Sequence, residues 1–294
     1  MMCTMDWTDP FAVVKVLIEN ALIEDEALDD AASWAIGEFG DVPVTCHVNP
    51  RENIVVAGID LAAVVFSMLP GGVRVERFVE EGQSIRAGER MASIHGPAAA
   101  VLRGERVFLN ILGRLCGIAS TTHEFVSACT GTDVEILDTR KTTPGMRALE
   151  KYAVRMGGGV NHRFSLAEMA MLKDNHLAAI GGVGNLLPVI GKLRDLGVPI
   201  EVEVDSLEQL RVVVPLLPDR ILLDNMSADQ LRCAVSFSEC SDIYLEASGG
   251  ITLETVRAVA ETGVNGISVG MLTHSMKSSD IGLDWYYDFP KEPV

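Results

Sequence analysis

The stretch IEVEVDSLEQLRVVVPLLPDRILLDNMSADQL, residues 200–231, decides the fold. It contains one pattern twice: a short apolar run, an acidic tip, a serine and then a helix-like segment. Ser206-Leu-Glu-Gln209 and Ser227-Ala-Asp-Gln230 both have capping-box spacing, where the serine oxygen accepts from a backbone N–H three residues on and the glutamine reaches back. A strand that hands over from a charged tip to a capped helix is the repeating piece of a parallel sheet covered by helices.

The same pattern extends outward from this stretch. VEILDT runs into Arg140-Lys141, MAMLKDNH ends at Lys173-Asp174, YLEASGG ends at Ser248 and the glycines after it, and GISVG ends at Gly270. Thr252 is placed to cap a helix that Gly263 closes. With IEVEVD and ILLDN these make six strands, whose cores are expected to be apolar on both sides. Six is fewer than the eight of a closed barrel. The expectation is therefore an α/β fold: an irregular or incomplete (β/α) barrel over residues 111–275.

Residues 1–110 read differently. One or two helices occupy residues 1–30, with Val13, Val14, Leu17 and Ile18 at helical spacing, and short strand-like runs follow in VTCHVNP, NIVVAGI and VRVERFVEEG. This part is expected to be an N-terminal α+β sandwich domain, with residues 276–294 packing back on it. Its segment VEEGQSIRAGERMASIHGPAAAVLRGER looks like the sandwich of biotinyl and lipoyl carriers. A carrier must present a lysine at a hairpin tip, and no lysine lies between Lys15 and Lys141, so that reading fails.

The 294 residues are 48% hydrophobic and carry a formal net charge of -17. Such acidity argues against a nucleic-acid or anionic-membrane surface, which needs a broad basic face. MMCTMDWTDPF has no basic region ahead of an apolar one, and DLAAVVFSML is too short to span a bilayer, so a cytoplasmic protein is expected. The six cysteines are scattered without a C-x-x-C pair and are expected to be reduced core residues.

Against that acidity, LDTRKTTPGMR, residues 137–147, opens a basic island: Arg140, Lys141, Arg147, Lys151, Arg155, Arg163 and Lys173. The four-residue spacing of Arg147, Lys151 and Arg155 suggests a solvated helix face. Arg140, Lys141 and Lys173 instead follow strands directly, where a charge points into a barrel mouth. GGGVNHR adds three glycines that allow close backbone approach to a ligand, followed by His162 and Arg163. Arginine's planar fork suits carboxylates, so the cluster suggests a substrate with more than one. Glu203 and Asp224 end separate strands that would face the same mouth, where they could hold a divalent metal or ribose hydroxyls, stabilise a developing cation, or merely pair with the nearby bases. Ser248-Gly249-Gly250 and Gly270, with Leu272-Thr273-His274-Ser275 after it, have the glycine-rich character of a phosphate cradle. A Schiff-base aldolase using Lys141 or Lys173 is the competing reading.

ERVFLNILGRLCGIAS, DTRKTTPGMRALEKYAVRMGGGVNHR, LKDNH, EVEVDSLEQL, ILLDN, LEASGGITLETV and GISVGMLTHS, in this order across most of residues 105–275, resemble the quinolinate phosphoribosyltransferase family. Val107-Phe108 and Met271 stand where that family more often has smaller or more polar residues. The resemblance implies transfer of phosphoribosyl from phosphoribosyl pyrophosphate to quinolinate with decarboxylation, giving nicotinate mononucleotide, pyrophosphate and carbon dioxide. It also implies Mg2+, with Glu203 and Asp224 as its ligands, and a homodimer, or a larger assembly, with shared active sites. Arg140, His162, Arg163 and Lys173 would hold the quinolinate carboxylates, joined by Arg106 from the other subunit. Lys141, Glu203, Asp224, Ser248, Gly249, Gly250 and Gly270 would serve the donor side, with Lys141, Glu203 and Asp224 nearest the chemistry, and Thr139 and His274 would also bind substrate. A molybdenum-transport-associated relative shares the fold; retention of RKTTPG, GGGVNHR and KDNH favours the transferase.

Overall fold

The computed structural model describes residues 10–286. They form two compact units: residues 10–121, 143–158 and 276–286 in one, and residues 122–142 and 159–275 in the other.

In the first unit the helices are α1 (Pro10–Glu24), α2 (Ala31–Ala35), α3 (Leu61–Ser67), most of α4 (Ala98–Ala128) and α5 (Arg147–Met156). The strands are β1 (Pro43–Pro50), β2 (Ile54–Val55), β3 (Arg74–Arg77), β4 (Ser84–Ile85), β5 (Ala92–Pro97) and, from the far end of the chain, β12 (Ile281–Tyr286). One antiparallel sheet has the order β12-β1-β5-β3, and β2 and β4 form a separate ribbon. β12 pairs along β1 from Pro50↔Ile281 to Thr45↔Tyr286, so the chain's end completes the sheet that its beginning starts. Residues 287–294 lie outside the described residues. The expected boundary between residues 110 and 111 falls inside α4. Phe66 of α3 and Phe108 of α4 meet at 6.1 Å between ring centroids in the core.

Helix α5 departs from the expected solvated face. Lys151 is 1% exposed and Glu150 is fully buried. Glu150 Oε1 accepts from Arg114 Nη2 at 2.6 Å and from Arg114 Nε at 2.9 Å, while its Oε2 accepts from the Thr143 N–H at 3.3 Å. Arg147, Lys151 and Arg155 therefore do not make one solvated face: Lys151 is buried, as are Ala148, Leu149, Ala153 and Val154, and of the three only Arg155 is exposed. Gly157 and Gly158 of the GGGVNHR run close this helix: the Gly157 N–H donates to Ala153 O, and Gly158 takes a φ of 89°.

The second unit carries six parallel strands in the order β6-β11-β10-β9-β8-β7: β6 (Glu135–Leu137), β7 (Ala170–Leu172), β8 (Ile200–Val204), β9 (Arg220–Asp224), β10 (Tyr244–Ser248) and β11 (Gly266–Ser268). The helices of this unit are α6 (Asp174–Ala179), α7 (Leu186–Asp195), α8 (Leu207–Val213), α9 (Ala228–Ser238), α10 (Leu253–Ala260) and α11 (Met271–His274). No strand pairing joins β6 to β7 among the described residues, which makes this an incomplete barrel. The capping box at Ser227–Gln230 is complete and starts α9. At α8, Ser206 Oγ accepts from the Gln209 N–H, but Gln209 Oε1 accepts from Asp205 rather than from Ser206. Thr252 caps α10 reciprocally with Thr255.

The strand cores are not uniformly apolar. In β8, Ile200, Val202 and Val204 are buried on one face, and Glu201 is fully buried on the opposite face beside Glu203. Glu246 is equally buried in β10. The period of two puts Glu201 one step behind Glu203, and Glu246 one step behind Ser248. Of the cysteines, Cys46, Cys116 and Cys129 are buried and Cys233 and Cys240 are exposed, all five free; Cys3 lies outside the described residues. Burial pushes the Cys46 and Cys116 thiols up to about 12, which leaves them protonated and inert. No helix among the described residues is long and apolar enough to cross a membrane.

Candidate active site

All six parallel strands end on the same side, and their C-terminal tips supply the polar groups. Thr139, Arg140 and Lys141 follow β6, Lys173 follows β7, Glu203 belongs to β8, Asp224 ends β9, and Ser248 with Gly249 and Gly250 ends β10. All border one cavity of about 640 Å³, and His162 and Arg163 border it as well. That is room for two small anions together.

Gly270 and His274, expected in the site, do not line this cavity; they lie beside Lys141, which does. A methyl group on Gly270 would come within 3.2 Å of Lys141 Cδ and 2.9 Å of His274 Nε2. Thr273 Oγ1 donates to Lys141 O at 2.9 Å, fixing the backbone that carries this lysine. Arg106 lies in the other unit, on α4, with its side chain 63% exposed.

The cations have few acids to satisfy them. Arg140 Nε is buried with no hydrogen-bond partner. Arg163 is buried, and its Nη1 donates to Met169 O at 2.8 Å. Burial, then the like charge of Arg140, lowers the Arg163 pKa, and Glu201 opposes them only in part. Two guanidiniums that disfavour each other's charge make a place for an anion. Lys173 differs, because its Nζ lies 2.9 Å from Glu203 Oε2 in a half-exposed ion pair.

The turn after β10 supplies the third element. Asn225 N donates to Ser248 O at 2.8 Å, and Gly249 has a φ of 94° with any Cβ overlapping the Asn225 amide. Glycine is required there on both counts. Asn225 itself takes a positive φ of 54°, and its Nδ2 donates to Asp224 Oδ2 at 2.7 Å, which orients that carboxylate. The oxygen donors of Glu203 and Asp224 also border a second hollow with Asp174 and Asp205. Hard carboxylate oxygens of this kind fit Mg2+.

The sequence reading missed what lies beneath His162. Its Nε2 is 3.1 Å from Glu201 Oε2 and 3.3 Å from Glu246 Oε2, and Arg220 Nη1 is 3.7 Å from the same Glu246 oxygen. Its Nδ1 accepts from the Arg163 backbone N–H at 2.7 Å. Asp138, also buried, accepts from the His162 N–H at 2.9 Å and from Asn161 Nδ2 at 2.6 Å. Burial is the largest influence on His162 and lowers its pKa, but the two carboxylates set against Nε2 together outweigh it and push the value up to about 9. The carboxylates secure a proton on Nε2. The carboxylates thus favour the protonated ring, while the Arg163 N–H, 2.7 Å from Nδ1, opposes a proton there. Burial raises the Glu201 pKa, and the neighbouring Glu246 charge adds to it. None of the three glycines of GGGVNHR borders the cavity.

Comparison with known proteins accounts for this arrangement. Residues 30–116 match the profile described as "Quinolinate phosphoribosyl transferase, N-terminal domain", and residues 118–284 match the corresponding C-terminal domain. The chain is 43% identical over 274 residues to a probable nicotinate-nucleotide pyrophosphorylase [carboxylating] of Bacillus subtilis, covering 92% of this chain and 93% of that one. It is also 43% identical over 279 residues to the nicotinate-nucleotide pyrophosphorylase [carboxylating] of Mycobacterium leprae, covering 93% and 98%. Among solved structures, the nicotinate-nucleotide pyrophosphorylase from Ehrlichia chaffeensis superposes with a TM-score of 0.84 at 37% identity, covering 92% of this chain and 97% of that one. On these matches and the shared fold, the chain belongs to the quinolinate phosphoribosyltransferase family.

Proposed function

We propose that this protein transfers phosphoribosyl from phosphoribosyl pyrophosphate to quinolinate with decarboxylation, releasing nicotinate mononucleotide, pyrophosphate and carbon dioxide in NAD biosynthesis. The observation that carries the reading is the juxtaposition of buried Arg163 with Arg140, whose Nε is buried and without a partner, and too few acids to match them, because a ring bearing two adjacent carboxylates supplies what they lack. Arg140 and Arg163 hold the dianion, and Lys173 joins them when it leaves Glu203. Lys141, Asp224 and the Ser248–Gly250 turn receive the donor, whose phosphates suit the backbone N–H groups of that turn and whose ribose suits the carboxylates.

Attack of the pyridine nitrogen on the anomeric carbon displaces pyrophosphate and passes through oxocarbenium character, which the carboxylates of Glu203 and Asp224 favour by their charge. Mg2+, held by Glu203 and Asp224, would neutralise the leaving group. The ribosylated nitrogen is cationic and draws the electron pair from the neighbouring carboxylate bond. Carbon dioxide leaves, and the ring carbon takes up a proton. No nucleophilic side chain is needed, so the protein's work is to orient the two reactants and exclude water.

We further read the protein as a cytoplasmic homodimer in which the exposed Arg106 enters the partner's site; its five free described cysteines suit a reducing compartment. Incubation with quinolinate, phosphoribosyl pyrophosphate and Mg2+ should yield nicotinate mononucleotide. Nicotinate should not replace quinolinate, because losing one carboxylate leaves a buried guanidinium unpaired; comparable turnover of nicotinate would sink the reading.

A further inference from the structure

Lys141 sits on a stretch without regular structure: β6 ends at Leu137, and residues 138–143 are in neither helix nor strand. Its backbone takes its partners from side chains instead. The Lys141 N–H donates to Thr139 Oγ1 at 3.1 Å, and the Lys141 carbonyl accepts from Thr273 Oγ1 at 2.9 Å. Thr273 belongs to α11, which follows β11, and β11 pairs in parallel with β6, so the two strand tips lie side by side. Thr273 is 1% exposed, and packing fixes the direction of its hydroxyl oxygen. A hydroxyl has a single hydrogen to give, and the other acceptor within reach, Gly270 O, is farther away at 3.4 Å. The turn that carries Thr273 also meets the lysine's stem, because a Cβ on Gly270 would lie 3.2 Å from Lys141 Cδ. Thr273 itself does not border the cavity.

We propose that Thr273 is a positioning residue for the donor side of the reaction: its hydroxyl sets the Lys141 carbonyl, and with it the direction in which the ammonium group enters the cavity. The hydroxyl does this, not the methyl group. Arg140 lies on the N-terminal side of the tie, and the Asp138 N–H ahead of it donates to Val160 O at 3.2 Å, so the quinolinate-side guanidinium has an anchorage of its own. Loss of the tie should therefore be felt by the donor and not by quinolinate. The inference rests on the donor role read for Lys141 under the proposed function, and it adds a residue that meets neither reactant.

The test uses the full-length protein and two variants: Thr273→Val, which keeps the branched shape and loses the hydroxyl, and Thr273→Ser, which keeps the hydroxyl. Calorimetric titration with phosphoribosyl pyrophosphate in Mg2+ and, separately, with quinolinate gives the two dissociation constants. Thr273→Val should weaken donor binding on the order of 10–100-fold, the share of one charged hydrogen bond, and leave quinolinate binding within about twofold. Thr273→Ser should bind both ligands nearly as the wild type does. In a Lys141→Ala background, Thr273→Val should cause no further loss of donor affinity, because the hydroxyl acts through that lysine. An unchanged donor constant in folded Thr273→Val, equal losses for both ligands, no rescue by serine, or a fully additive loss in the Lys141→Ala background would each overturn the proposal. Thr273→Ala, titrated in the same way, takes the place of the valine variant if circular dichroism shows that chain unfolded. A wild type that binds no phosphoribosyl pyrophosphate defeats the donor reading and this proposal together. A wild type that binds it, beside a Thr273→Val chain that binds it equally well, defeats this proposal alone.

Discussion

Arg140 brings to the cavity a guanidinium whose buried Nε has no hydrogen-bond partner. Arg140→Ala should weaken quinolinate binding by about 2–5 kcal/mol, the cost of removing one member of a buried charge pair, with donor binding little changed; calorimetry with each ligand separately checks this. Asp224→Asn should have the opposite signature, reducing Mg2+-dependent turnover while quinolinate binding stays near that of the wild type. Equal loss of both affinities would mean that the division of the cavity is drawn wrongly. Much of this division was legible beforehand, because charges placed directly after strands can only point into the mouth: Arg140, Lys141, Lys173, Glu203 and Asp224 all reach one cavity. Glu201 and Glu246 were hidden by the same alternation that exposed Glu203 and Ser248. A glutamate inside a short strand reads as an outward face, and only the closure of a sheet over it makes it a buried one.

At the level of elements, the caps were the most readable feature, since Ser227 and Gln230 satisfy each other locally and need no tertiary information. Lys151 and the glycines after α5 were misread because helical charge spacing says which residues share a face, not whether that face meets solvent. The Arg114–Glu150 pair shows the consequence. Glu150→Ala would remove the carboxylate that Arg114 and the Thr143 N–H share, leaving Arg114 its bond to Thr143 Oγ1, and should lower stability by about 2–3 kcal/mol, somewhat under the value for a wholly buried pair because Arg114 is partly exposed; chemical denaturation measures it. Another tie holds the chain's end: Arg51 and Asn49 pair with Asp284 of β12. The Arg51 hydrogen bond first, then that of Asn49, lowers the Asp284 pKa. A carboxyl lowered on folding stabilises at pH values above its unfolded pKa, about 3.9, and that contribution fades as pH falls through the lower folded value. Asp284→Asn should therefore cost less than about 1 kcal/mol at pH 7, the pair being half-exposed, and nothing at pH values below the folded pKa. Melting curves at both pH values give the comparison, and an equal loss at low pH would remove the ion pair as the cause.

For the whole molecule, the proposed sharing of sites between subunits has a numerical signature. Arg106→Ala and Lys141→Ala chains should each be nearly inactive alone. After subunit exchange about half the dimers would combine the two chains, each with one intact site, so roughly a quarter of wild-type activity should return. No recovery after verified exchange would place Arg106 outside the partner's site. The six-strand order also gives the active-site cations unequal footing. Among the described residues, Lys173 hangs from β7, which pairs only with β8, and Arg140 and Lys141 hang from β6, which has β11 on one side and a lone bridge from Leu137 to Val160 on the other. The amide hydrogens of the ligand-free protein should therefore exchange with deuterium unevenly, fastest at Ala170–Leu172 and slowest in the central strand β9. A quinolinate dianion gripped by both outer segments becomes the crosspiece that the backbone lacks. At a hundred times its Kd it should add about 2.7 kcal/mol of stability, and the slowing of exchange should fall mainly on the two outer strands rather than evenly along the sheet.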